Sequence, residues 1–276
     1  MNFWIQLFNE KKGFKKLFNP IYNELLSNEF RNENGLVGYS SQEERHWYFV
    51  FHQLRFQEIF SLIPNSKNSL SLLDIGCNEF TILLKRVFPH YEIHAIDKTS
   101  QWQETLLFSH IQFKTCDLSK GNLPYPDNYF NVILLNEVME HLPIHPSIVL
   151  REISRILKRK GILILTTPNF PYLKNRIQLL FGKQILQPFK IDNTFPGHFR
   201  EYTMNECISL LGNDFSIRMH VYPNYRDKFE LFWKTPKLGF KQKVFLTPIA
   251  LIYFLMVWFL PSLRRSMLFV CQKRVC

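Results

Sequence analysis

Leu72-Leu73-Asp74-Ile75-Gly76-Cys77-Asn78-Glu79-Phe80 is the stretch that decides the fold. An apolar run stops at an acid and a glycine. Helical spacing then begins at Ile82, Leu83, Val87 and Phe88. The pattern predicts a strand, a tight turn and a helix start. Glycine suits the turn because it lacks a Cβ and lets a ligand approach the backbone.

Working outward, the same alternation repeats. Strands are expected at Leu70–Ile75, Tyr91–Ile96, Ile111–Thr115, Phe130–Leu135 and Ile162–Thr166, with helical segments near Thr81–Phe88, Trp102–Phe108 and Ser147–Lys158. Gly121–Asn128, with two prolines, reads as a loop. Alternation of this kind implies parallel strands joined by right-handed crossovers. Upstream, Glu43–Ile63 reads as a helix packed beside the sheet. Downstream, a helix is expected near Met204–Leu211, a strand at Phe215–Tyr222 and a last short strand at Met267–Arg274.

Composition narrows the class. The chain has 276 residues, 46% of them hydrophobic, which supports one large domain with appendages. Its formal net charge is +11, with basic excess in Lys11–Lys16, Lys158–Lys160, Lys234–Lys243 and Arg264–Arg274. These blocks flank apolar segments, which points to an anionic membrane surface and away from nucleic acid. Five scattered cysteines form neither a disulfide framework nor a metal knuckle, so reduced thiols in the cytoplasm are expected. The N-terminus lacks a signal-peptide pattern.

Acids stand at or just beyond three successive strands: Asp74, Asp97 and Asp117. A carboxylate past the second strand can accept hydrogen bonds from both hydroxyls of a ribose. One past the third can receive the amino group of an adenine. Asp74 can orient the glycine turn. A dehydrogenase with this layout would carry Gly-x-Gly-x-x-Gly, but positions 76, 78 and 81 are Gly, Asn and Thr.

The set Leu73–Cys77, Ala95-Ile96-Asp97, Cys116-Asp117-Leu118, Leu123–Ile133, Glu137–Leu142 and Leu157–Gly161 resembles the class I S-adenosylmethionine-dependent methyltransferases over roughly residues 43–222. The resemblance implies an α/β, Rossmann-like sheet of seven strands in the order 3-2-1-4-5-7-6, with strand seven antiparallel. It implies S-adenosyl-L-methionine as cofactor, with its methionine part over Gly76, ribose on Asp97 and adenine near Asp117. The candidate cofactor residues are Asp74, Gly76, Cys77, Asn78, Asp97, Lys98, Asp117, Leu118, Asn136 and Glu137, and the candidate general base is His141.

Two departures matter. The family pattern Gly-x-Gly-x-Gly runs here as Gly76-Cys77-Asn78-Glu79-Phe80. Asn78 tolerates a left-handed backbone. Phe80 either crowds the cofactor or packs at the helix start. Glu137, Glu140, His141 and His198 resemble the metal site of methyltransferases that act on vicinal hydroxyls. Similar positions occur in relatives where no metal is expected, and none is assigned.

Val244–Leu263 carries no charge and is long enough to cross a bilayer. If Met267–Arg274 returns to the sheet, the segment has to leave and come back on one side. Pro248 and Pro261 then suggest a bent or hairpin-like insertion. The expected organisation is an accessory membrane-proximal segment over 1–45 and a methyltransferase domain over 46–222, with 169–200 as a substrate lid. An apolar monotopic insertion over 223–265 and the last strand over 266–276 complete it. The expected activity is O-methylation of a small, lipid-like or glycan-linked acceptor on the cytoplasmic face of a membrane contacted through 244–263. The competing reading is a catalytically inactive scaffold docked on that membrane.

Overall fold

The computed structural model describes residues 42–66, 68–185, 197–223 and 239–274. Most of the 1–45 segment and the middle of 169–200, the stretch expected to be a lid, lie outside the described residues.

Helix α1 (Gln42–Leu62) precedes the sheet. Then come β1 (Ser71–Ile75), α2 (Glu79–Val87), β2 (Glu92–Asp97), α3 (Gln103–Phe108), β3 (Gln112–Thr115) and β4 (Phe130–Asn136). After them follow α4 (Pro146–Ile156), β5 (Leu157–Pro168), α5 (Leu173–Leu180), α6 (Met204–Leu211), β6 (Phe215–Val221), α7 (Phe240–Phe259) and β7 (Ser266–Lys273). The seven strands form one sheet in the order β3-β2-β1-β4-β5-β7-β6. Strands β1 to β5 pair in parallel, and β7 runs antiparallel to both β5 and β6.

Alternation along the strands divides the core in two. Leu72, Ala95, Val132, Leu134 and Ile164 face a cluster shared with α1 and α2. Leu73, Ile75, Ile96, Ile133, Leu135 and Leu163 face a second cluster shared with α4 and α6. A parallel strand buried on both faces reads as a near-continuous apolar run, and β4 carries Val-Ile-Leu-Leu through its buried middle, with Asn131 and Asn136 half-buried near its ends.

β5 begins five residues earlier than the sequence predicts. Its pairing jumps from Phe130↔Leu157 to Val132↔Ile162, so five steps on β5 match two on β4. The extra residues form a bulge in which Lys160 is left-handed, with φ of 64°.

The apolar C-terminal segment also differs from expectation. It is one helix that passes through Pro248, not a hairpin, and Pro261 opens a 3-10 turn just after it ends. A proline removes one helical hydrogen bond and bends a helix without ending it where the flanking turns are strong. Arg264 fixes the end of α7. Its guanidinium donates to the carbonyls of Val257 (2.9 Å) and Trp258 (3.0 Å), and to that of Tyr222 just past β6 (2.8 Å). It therefore caps a helix terminus rather than standing ready for lipid headgroups.

Candidate active site

The parallel strands end together on one edge. There they wall a cavity of about 410 Å³ with Asp74, Gly76, Asp97, Asp117, Asn136 and Glu137 among its lining residues. That volume falls in the range of about 300–1,000 Å³ typical of small-molecule sites. The edge is set by backbone bonds between neighbours: Gly76 N–H donates to Ile96 (2.9 Å), Cys116 to Asp97 (2.7 Å) and Glu137 to Thr166 (2.8 Å).

The first turn is built by side chains as well as glycine. Gly76 has φ of +80°, and a Cβ there would stand 2.6 Å from Val138 Cγ2. Only glycine fits this place. Asn78 differs from its predicted role. Its backbone is extended (φ −158°), and its side chain caps α2 by accepting from Phe80 N–H at 2.8 Å. Thr81 Oγ1 accepts from Asn78 N–H (3.2 Å) and donates to Asp74 Oδ2 (2.6 Å). Asp74 thus holds the turn through Thr81. Burial pushes its carboxyl up to about 7, against the lowering effect of the Thr81 hydroxyl and with a further rise from Asp97.

Phe80 takes the second of its two predicted places. It is 4% exposed, stacks on Phe60 (centroids 4.8 Å, 18° between planes) and leans on Phe56 at 4.9 Å. It contributes to the cavity wall, but α1 holds its ring aside. Cys77 does not line the cavity. Its side chain is buried in the core cluster beneath α1, and burial raises its thiol far above the ordinary range. The assignment of Cys77 as a cofactor contact therefore does not carry over to its side chain.

Asp97 ends β2 and Asp117 stands just past β3, and both line the cavity with Lys98 and Leu118. Burial raises the Asp97 carboxyl, although Thr99 N–H donates to its Oδ1 at 3.0 Å. Asp117 caps the turn Leu118–Lys120 by accepting from Ser119 N–H (3.0 Å), and the bonds from Ser119 hold its carboxyl low. Asn136 Oδ1 accepts from Thr166 Oγ1 (3.4 Å), while its Nδ2 is buried without a hydrogen-bond partner among the described residues. A glycine cradle and an unused buried donor at the end of β4 are features a polar cofactor would complete.

Beyond Glu137 the wall changes character. His141, Leu142, Pro143 and Phe199 line that end. The His141 ring meets His198 edge-on with centroids 4.9 Å apart, and His198 Nδ1 pairs with Glu201 Oε1 at 2.7 Å. The carbonyl of Glu140 accepts from Phe199 and Arg200 N–H (2.9 and 3.3 Å), which holds Phe199 at the cavity wall. Glu140, His141 and His198 bring donor atoms within 4.8 Å of one another. Glu137 does not join them: its Oε2 lies 3.2 Å from Arg55 Nη1.

The sequence reading missed α1 as part of the site. Tyr48, Arg55, Phe56 and Ile59 all line the cavity. The one signal available was a cation, Arg55, between Leu54 and Phe56 on an otherwise apolar face.

Comparison with known proteins agrees with this geometry. A methyltransferase-domain family model matches residues 45–205. The demethylmenaquinone methyltransferase of Thermotoga maritima is 30% identical over 173 residues, covering 59% of this chain and 73% of that protein. Among solved structures, the geranyl diphosphate C-methyltransferase of Streptomyces coelicolor A3(2), bound to Mg2+, geranyl diphosphate and S-adenosyl-L-homocysteine, superposes with a TM-score of 0.54. Its identity is 13%, with 87% of each chain covered. A methyltransferase from Thermotoga maritima that depends on S-adenosylmethionine gives 0.52 at 15% identity, covering 84% of this chain and 96% of that one. With the strand order, the glycine cradle and the matched domain in agreement, the chain belongs to the class I S-adenosylmethionine-dependent methyltransferases.

Proposed function

We propose that the enzyme methylates an oxygen of an apolar acceptor, lipid-like or glycan-linked, at the cytoplasmic face of a membrane. The observation that carries this reading is the position of His141 on the cavity wall, beside Leu142, Pro143 and Phe199. S-adenosylmethionine supplies an already activated methyl group on a sulfonium. The protein then has to hold the acceptor in line with that group and exclude water. Asp97 is assigned to the ribose hydroxyls, Asp117 and Leu118 to the adenine, and Gly76 and Asn136 to the methionine side. The His141 imidazole takes the proton the acceptor hydroxyl loses as its oxygen bonds to carbon. The name of the Thermotoga maritima relative, which specifies demethylmenaquinone, supports an apolar acceptor.

Membrane contact is assigned to α7. It is long and apolar enough to cross a bilayer, yet β6 and β7 flank it in one sheet. A helix of 20 residues is about 30 Å long at 1.5 Å per residue, so crossing would demand a return through 224–238. That stretch carries Arg226, Asp227, Lys228, Glu230, Lys234 and Lys237, which hydrocarbon excludes. An in-plane position, with Phe245, Ile249, Ile252, Trp258 and Phe259 toward the acyl region, meets both constraints.

The test is incubation of the protein with membrane lipid extract and methyl-labelled cofactor. Label in an extractable apolar product, lost in His141→Ala while cofactor binding is kept, is expected. Label in water-soluble products alone would overturn the acceptor assignment.

A further inference from the structure

Helix α5 is a second apolar element at the sheet edge that carries the cavity, and the roles assigned so far leave it unused. It follows β5 directly, and Leu173 and Asn175 are its buried residues. Leu173 packs against Val257 and Leu263, with Tyr253 and Phe254 of α7 beside them. From there an apolar stripe runs outward at helical spacing through Ile177, Leu180 and Phe181. Exposure climbs along it, from 7% at Leu173 to 45%, 81% and 71% at those three residues. The tip stands clear of the rest of the protein. Gly182 ends the helix in a left-handed turn (φ +63°), and a Cβ there would meet nothing within 4 Å. Core packing therefore does not account for Leu180 and Phe181, and a contiguous exposed apolar surface marks an interaction site.

We infer that Leu180 and Phe181, at the tip of α5, form a second membrane anchor that inserts into the same anionic lipid interface as the exposed face of α7. This rests on the membrane contact proposed for α7. Two observations select a bilayer as the occupant. The stripe joins α7 through Leu173, so one apolar surface runs across both helices. The charge around it has one sign: residues 171–185 hold Lys174, Arg176 and Lys183 and no acid. Cations beside an apolar tip lie at headgroup level while the tip enters the acyl boundary. The eight steps from Leu173 to Phe181 cover about 12 Å at 1.5 Å per residue, comparable with the immersion depth of interfacial helices.

The base of α5 is tied to the end of the cavity assigned to the acceptor. Asn175 Nδ2 donates to the carbonyl of Phe170 (2.7 Å) and lies 3.4 Å from Glu201 Oε2. The other oxygen of Glu201 pairs with His198, which meets His141. A tip held in lipid thus fixes that end of the cavity close to the interface from which an apolar acceptor arrives.

The experiment is co-sedimentation of the full chain with phosphatidylcholine vesicles, with and without phosphatidylglycerol. Light scattering gives the mass of each protein, and titration with S-adenosylmethionine checks folding. Wild type should partition more strongly into the vesicles that contain phosphatidylglycerol. Leu180→Asp/Phe181→Asp should lower that partitioning about tenfold, the equivalent of burying one apolar side chain, and leave cofactor affinity unchanged. Lys174→Glu/Lys183→Glu keeps the apolar tip and should weaken binding to the phosphatidylglycerol vesicles alone. Partitioning of both double variants equal to wild type, while Phe245→Asp/Trp258→Asp loses it, would overturn the inference and leave the α7 contact standing. A Leu180→Asp/Phe181→Asp protein that turns from dimer to monomer with unchanged partitioning would overturn it in favour of a second copy at the tip. A wild type that ignores both kinds of vesicle would remove the membrane reading itself, and the inference with it.

Discussion

Phe80 stands where the family pattern has glycine, and its contacts decide what the departure does. The ring is sandwiched against Phe56 and Phe60, so it fastens α1 to the start of α2. Phe80→Ala should cost about 3–5 kcal/mol of stability, as for other buried phenylalanines, without improving cofactor affinity. Chemical denaturation paired with titration checks both halves. Asp74 gives a second prediction at this scale. Its carboxyl titrates near 7 in the native state and near 3.8 when unfolded, so the native state holds the proton more tightly. Stability from this group is full below the unfolded value and is lost as pH rises through about 7. The difference amounts to about 4 kcal/mol at most. Asp74→Asn removes the titration, so stability measured across that window should fall less steeply with pH than in wild type. Parallel slopes would contradict the assignment. The three acids were legible in sequence because each follows an apolar run. The capping role of Asn78 and the inward turn of Cys77 were not, because both depend on the backbone angle of the turn.

Elements were legible where a period was clean. The strands β1 to β4 emerged within about one residue of expectation, since turn residues bound them and β1, β2 and β4 are largely apolar and buried, while the edge strand β3 is short and polar. The start of β5 was hidden because Leu157–Gly161 carries a charged bulge in place of an apolar run. α1 was readable as a helix, but not as a wall of the site: which face of a helix meets a cavity is a tertiary fact. A hairpin turn at Pro248, one of the two shapes expected there, is absent because the twenty-residue apolar run carries the helix through the proline. Arg264 supplies the test at this scale. Its three carbonyl contacts join the end of α7 to the end of β6. Arg264→Ala should lower stability by about 1–3 kcal/mol, the cost of leaving such acceptors unmatched. Hydrogen exchange should quicken first in residues 253–259. Unchanged exchange there would contradict the capping role.

At the scale of the whole molecule, one edge of the sheet holds the chemistry, and among the described residues one long helix carries a large share of the exposed apolar side chains. Phe245 is 79% exposed and Trp258 63%, far more than packing in a soluble core would leave. Contiguous apolar surface of this kind marks an interaction site. Leu173 of α5 packs with Val257 and Leu263, so α7 is joined to α5. Membrane binding therefore presents the acceptor end of the cavity, on the reading proposed above. Replacing Phe245 and Trp258 together by Asp should abolish co-sedimentation with anionic lipid vesicles and leave cofactor affinity intact. Co-sedimentation equal to wild type would place the membrane contact elsewhere.

The central claim is that the edge formed by Asp74, Gly76, Asp97 and Asp117 binds S-adenosylmethionine through Asp97 at the ribose. Titration calorimetry of wild type and Asp97→Ala with that cofactor tests it most directly. The account predicts one site per chain in wild type and about ten- to a hundredfold weaker binding in the variant, from the loss of hydrogen bonds to a charged group. Absence of binding in wild type, or equal affinity in the two proteins, would contradict it.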